Sequence, residues 1–171
     1  MATFEVSDAF EVPVSFWPNK ARYVDFDALK SCEDIEQPFC DFLTLKGVYV
    51  FSMRTGGGTL PWYVGKSEKS TFLREAFNHR NRNALNELLN SMRGTLLINF
   101  ITQSTFRGKP NLSNIGEIEN LLIGHASERN SNLLNVQGRL KKPNFTIKNL
   151  YNSGKGKKSE HERRFGELMG L

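Results

Sequence analysis

Glu119 stands where a carboxylate is costly. On a helix drawn through residues 114–127, with about 100° between successive side chains, Ile115, Ile118, Leu122, Ile123 and Ala126 share one arc, and Glu119 falls inside it. Glu117 and Glu128 point to the opposite side and read as solvated helix-face residues. A carboxylate on an apolar face needs a cation or a dedicated hydrogen-bond partner. Glu119 is therefore either a ligand for a hard divalent ion or one half of a salt bridge to a buried arginine. Further upstream lie Tyr49, Tyr63, Lys66, Arg74 and His79, and downstream Asn135. A free phenol has a pKa near ~10, so either tyrosine moves protons only if its surroundings favour the phenolate. Taken singly, both tyrosines read as aromatics of a strand-built core, Lys66 as a surface lysine and Asn135 as the cap of a turn. Gly65-Lys66-Ser67 resembles the end of a phosphate-binding loop, but Leu60 stands where that loop needs its first glycine.

The elements that must position these residues follow from composition. Gly47–Met53 is rich in β-branched and aromatic residues and reads as a strand. A second strand covers Trp62–Gly65, joined to the first by the Gly-rich stretch Arg54–Pro61, a hairpin with a loop longer than the tightest type. Ser70 can cap a helix to about His79, and a second helix follows over Ala84–Met92, where Leu85, Leu88, Leu89 and Met92 recur at helical spacing. Thr95–Thr102 reads as a third, largely buried strand, and Asn114–Ser127 as the helix carrying Glu119. Residues 3–15 suggest an edge strand or arm, residues 26–43 a short helix, 143–150 a short strand and 159–171 a terminal helix.

Gly47-Val48-Tyr49 followed by Tyr63-Val64-Gly65 resembles the signature of the GIY-YIG nuclease superfamily. Lys66 directly after the second triplet, a helix with Arg74 and His79, the Glu119-Asn-Leu-Leu-Ile123 run and Asn135 match in order, over residues 46–136. The resemblance implies an α/β (α+β) domain built on a small antiparallel three-stranded sheet flanked by helices, here with an N-terminal extension. It implies a metal-dependent endonuclease that hydrolyses phosphodiester bonds. One Mg²⁺ or Mn²⁺ ion would be held by Glu119, with Tyr49 and Tyr63 as base or relay, Lys66 activating them and Arg74 holding the phosphate. Asn135 would orient neighbours of the ion. The family's arginine and histidine stand four residues apart. Here residue 78 is asparagine and His79 follows it, so both remain open for that place.

The whole chain bounds the partner. Its 171 residues suit one core, and no apolar run approaches the roughly 20 residues of a membrane span. Residues 1–45 hold nine acidic and three basic side chains (3 − 9 = −6), and the remainder 20 basic and nine acidic (20 − 9 = +11). A basic body favours a polyanion, since lysine and arginine release counterions from phosphates. Lys66, Arg74, Arg80, Lys155, Lys157 and Lys158 are the expected nucleic-acid contacts, with DNA placed ahead of RNA. We divide the chain into an acidic extension (1–45), a nuclease-like domain (46–150) and a basic tail (151–171). No secretory signal is visible at the start, and Cys32 and Cys40 read as free thiols, which together suggest a cytoplasmic protein, monomeric or weakly dimeric. Two other readings compete: a catalytically inactive nucleic-acid-binding module on the same fold, and a protein-interaction domain that uses the acidic extension.

Overall fold

The computed structural model describes residues 2–104, 111–135, 145–154 and 156–171. In chain order the elements are β1 (Ala2–Val6), β2 (Phe10–Glu11), β3 (Val14–Phe16), β4 (Arg22–Val24), α1 (Phe26–Ser31), α2 (Gln37–Leu43), β5 (Gly47–Thr55) and β6 (Gly58–Ser67). They continue with α3 (Phe72–Ala76), α4 (His79–Ser91), β7 (Thr95–Gln103), α5 (Leu112–Arg129), β8 (Phe145–Ile147) and α6 (Glu160–Met169).

The sheet corrects the expected architecture. β6 and β7 each pair antiparallel to β5 between them, but the three form one half of a curled, mixed six-stranded sheet in the order β6-β5-β7-β1-β8, with β2 also paired to β7. A separate two-stranded sheet holds β3 and β4. The three-stranded expectation failed because β7 is used along both edges. One edge pairs with β5, while the other pairs with β1 near Ile101–Gln103 and with β2 at Leu97 and Ile98. Nor is β1 an edge strand, since it lies between β7 and β8, antiparallel to the first and parallel to the second.

Side chains alternate across the sheet and so divide the core in two. Val48, Val50, Val64 and Ile101 face α5 and α6, where Ile115, Ile118, Leu122 and Phe165 cover them. Tyr49, Phe51, Met53, Ile98 and Phe100 face the helices of the other side, packed by Phe39, Phe72, Phe77, Leu85 and Leu89.

Several local expectations change with this frame. The β5–β6 hairpin is tight: pairing runs out to Thr55 and Gly58, leaving Gly56-Gly57 as the turn. The helix expected over residues 70–79 is broken. α3 begins after Thr71, Phe77 leaves helical geometry, and Asn78 starts α4 by accepting from the Asn81 amide at 2.9 Å. Residues 26–43 hold two short helices, and Cys32 and Cys40 are disulfide-bonded between them rather than free. Their Cα atoms come within 6.1 Å because the chain reverses after α1, a reach that a disulfide needs and that linear spacing does not reveal. Among the described residues no helix is long and apolar enough to cross a membrane.

Candidate active site

β6 is the strand on which the candidate residues converge. A bulge opposite Phe51 and Ser52 shifts the register so that Tyr63 pairs with Phe51 and Gly65 with Tyr49. An extra residue in one strand re-aims the side chains beyond it. Tyr63 and Gly65 thus face the α3–α4 side, and Val64 and Lys66 face α5. The two tyrosine rings stack, with centroids 6.1 Å apart and planes 15° from parallel. A Cβ on residue 65 would lie 2.5 Å from the Tyr49 ring and hydroxyl and 2.8 Å from the Tyr63 ring. Glycine at 65 is what lets both phenols approach this backbone.

Tyr49 is buried, and its hydroxyl accepts a hydrogen bond from the Asn81 side-chain amide at 3.1 Å. Asn81 is itself fixed, since its amide also donates to the Glu75 and Ala76 carbonyls at 3.0 and 3.2 Å. Burial drives the Tyr49 pKa far above that of a free phenol, and the neighbouring Tyr63 adds to this. Tyr63 is only partly buried. Burial raises its pKa too, but Tyr49 and Arg80 pull it back while Glu119 pushes it up. Of the two, Tyr63 is the less buried, and its phenolate form would have the cation Arg80 to favour it. Its sensitivity to Glu119 also means that the two faces of β6 meet electrostatically around this edge strand.

On the α5 side, Lys66 bridges two carboxylates, Glu68 at 2.9 Å and Glu119 at 3.4 Å. The cation that the apolar arc of α5 demanded beside Glu119 is therefore a lysine. Burial raises the Glu119 pKa, Lys66 opposes the rise, and Glu68 reinforces it. Partial burial works against the Lys66 proton, but the hydrogen bond to Glu68 and the charge of Glu119 outweigh it, so its pKa is raised. Gly116, one turn before Glu119, makes room for the pair: a Cβ there would lie 3.3 Å from Lys66 Nζ and 3.5 Å from Glu68 Oε1.

The remaining candidates stand apart. Arg74 is exposed on α3 and makes no ion pair among the described residues. His79 is exposed at the start of α4, where its Nδ1 lies 3.3 Å from the Asn83 amide, and Asn78 serves as the cap of that helix. The helix break thus places Arg74 and His79 on separate helices. Asn135 brackets Val64, accepting from its amide at 3.1 Å and donating to its carbonyl, while Leu134 N donates to the Trp62 carbonyl at 2.8 Å. Asn135 therefore secures the free edge of β6 between Tyr63 and Gly65. Lys157 and Lys158 are exposed before α6, and Lys155 lies outside the described residues.

Two polar residues escaped the sequence reading. Asn81 had only its place on the apolar side of α4 to mark it, and Glu68 only its distance of two from Lys66. A hard divalent ion fits this donor set, because Glu119 and Glu68 offer carboxylate oxygens and Mg²⁺ is commonly held by one or two carboxylates with water. Among the described residues no group of three or more histidine, cysteine, aspartate or glutamate side chains gathers for a metal. No family model matches the chain, and neither does any curated protein or solved structure.

Proposed function

We propose that this chain is a metal-dependent endonuclease of the GIY-YIG type that hydrolyses phosphodiester bonds in nucleic acid, DNA ahead of RNA, as a monomer or weak dimer. The observation that carries the reading is the convergence on β6 of a stacked tyrosine pair with the Lys66–Glu119 pair. Glu119, helped by Glu68, would hold one Mg²⁺ or Mn²⁺ ion, which when bound neutralises charge on the phosphate oxygens.

The chain's own residues divide the rest of the work. Tyr63 takes up or relays the proton of the attacking water, because Arg80 offsets part of the cost of its ionisation. Tyr49 stays protonated and holds the Tyr63 ring in place, with its own hydroxyl locked by Asn81. Lys66 is held as an ammonium beside the two carboxylates and is available to a phosphate oxygen. Arg74, exposed and without an ion-pair partner among the described residues, would grip the nucleic-acid backbone. A cytoplasmic setting stands against the Cys32–Cys40 bridge, which belongs with oxidising compartments.

The test is nicking of supercoiled plasmid with Mg²⁺ or Mn²⁺ and with EDTA, beside Glu119→Ala. Cleavage that needs the ion and disappears in the variant is expected. Cleavage that survives in Glu119→Ala rules out the ligand assignment. Absence of cleavage in both, with salt-sensitive DNA binding, supports the inactive binding module, a reading favoured by the pairing of Lys66 to both carboxylates.

A further inference from the structure

A second concavity lies on the α5–α6 side of the sheet, independent of the nuclease reading. It encloses about 530 Å³ between the sheet and α6, within the ~300–1,000 Å³ usual for small-molecule sites. Arg129, which also lines it, closes α5. Ten residues at ~1.5 Å rise separate Arg129 from Glu119, about 15 Å along the helix axis.

Three observations define its chemistry. The first is Ser52. Along β5 the apolar series Val48, Val50 gives way to Ser52, which is fully buried, lines the cavity, and has a hydroxyl with no hydrogen-bond partner among the described residues. A buried hydroxyl without a partner is costly, and such groups are rare in folded proteins. The second is a set of three arginines, Arg54, Arg129 and Arg164, lining the same space. Arg54 and Arg164 are paired at exposed positions with Glu11 and Glu160, and His161 with Asp8. Exposed pairs of this kind contribute little and exchange partners readily. Arg129 has no carboxylate partner among the described residues. The third is an apolar wall, Leu97, Phe165 and Leu168.

We propose that this cavity binds a small phosphomonoester with a flat apolar portion, of the size and chemistry of a nucleoside monophosphate. The phosphate lies against Arg129 and displaces part of the Arg164–Glu160 pairing, and the opening this makes lets one phosphate oxygen reach the Ser52 hydroxyl, which is closed to solvent in the free protein. The heterocycle packs over the rim of the apolar wall at Leu97 and Leu168, with Phe165 buried behind them. A guanidinium presents a fork of donors that matches a phosphate edge, and the apolar wall supplies the burial that a bare anion would not use.

The full chain is titrated calorimetrically with adenosine 5′-monophosphate, adenosine and inorganic phosphate, with backbone amide shifts mapped in parallel. The monophosphate is expected to bind tighter than either fragment and to shift the amides of Ser52, Arg129 and Phe165. Arg129→Gln, at an exposed helix end, weakens it at least tenfold without lowering the melting temperature. Ser52→Ala weakens it severalfold while raising the melting temperature of the free protein by about 2–4 °C, because an unpartnered hydroxyl is removed. Amide shifts confined to the β6 site, no binding at millimolar monophosphate, or affinity unchanged in both variants would each overturn the proposal. None of these outcomes depends on whether the chain cleaves DNA.

Discussion

The tyrosine face and the carboxylate face of β6 differ in what must change before either can react. On the tyrosine side, the hydroxyl of Tyr49 is buried and fixed by an asparagine that also ties down two backbone carbonyls. Neither Tyr49 nor Asn81 can move without loss of packing or hydrogen bonds. On the α5 side, Lys66 is held by hydrogen-bonded ion pairs to Glu119 and Glu68, and its own side chain is 37% exposed. Ionic contacts at such exposure exchange easily. The rigid half would orient a phenol, while the ionic half is where substrate or ion would enter.

The largest expected effect separates the two tyrosines. If Tyr63 handles the proton, Tyr63→Phe reduces the rate of plasmid nicking by about 10²–10⁴, the range for a lost acid–base group. Tyr49→Phe removes a hydroxyl that accepts from Asn81 and donates to the Glu75 carbonyl, a positioning role, and is expected to reduce the rate less than tenfold. Single-turnover rates decide it, and equal losses in the two variants would erase the distinction. Because the Tyr63 pKa is raised, the parent rate is expected to climb with pH through the alkaline range and to lose that slope in Tyr63→Phe.

Next comes packing. Gly65→Ala places a methyl 2.5 Å from the Tyr49 ring, which a buried and hydrogen-bonded side chain cannot vacate. Overpacking of this kind costs about 1–3 kcal/mol, so thermal melting is expected to fall by several degrees. A melting temperature equal to the parent's would mean that the tyrosine side is looser than its hydrogen bonds indicate.

How far these features were legible in the sequence depends on whether local or distant residues set them. The strands through Tyr49 and Tyr63 were readable because β-branched and aromatic runs carry their own signal. The helix with Glu119 was readable because its apolar arc is continuous. What failed depended on remote pairing. That β1 and β2 share the far edge of β7 is set by contacts across some 90 residues of chain. The break between α3 and α4 rests on Asn78 capping one helix instead of continuing another. Its consequence, His79 facing Asn83, could not be read from a spacing that differs from the family's by one residue. The approach of Cys32 to Cys40 and the choice of Lys66 as partner of Glu119 are likewise tertiary facts.

A smaller effect tests the ionic side by pH. The Glu119 pKa in the fold lies above 4.5, its value as a free side chain. Between those two values the folded protein binds more protons than the unfolded chain, so stability falls as pH rises through the interval. Above it the ionised carboxylate is a net cost that Lys66 does not fully offset. Glu119→Gln is therefore expected to melt higher than the parent at pH 7, with the gap closing once pH drops below 4.5. A variant that melts lower than the parent at pH 7 would show that the ion pair outweighs burial.

The smallest expected effect bears most directly on the comparison. Gly116→Ala puts a methyl 3.3 Å from Lys66 Nζ and 3.5 Å from Glu68 Oε1, both at the far ends of flexible side chains. On helix α5 the exchange gains about 0.5–1 kcal/mol of intrinsic propensity, so melting is expected to rise by a degree or two. Lys66 has room to shift toward Glu119, loosening its hold on Glu68. If the ionic half is the adjustable one, cleavage falls only severalfold and stability improves. The same methyl on the other side of β6, in Gly65→Ala, lowers stability because the atoms it meets cannot move. Opposite signs in the two glycine variants follow from the difference between a packed half and an ionic half, and equal signs would remove it.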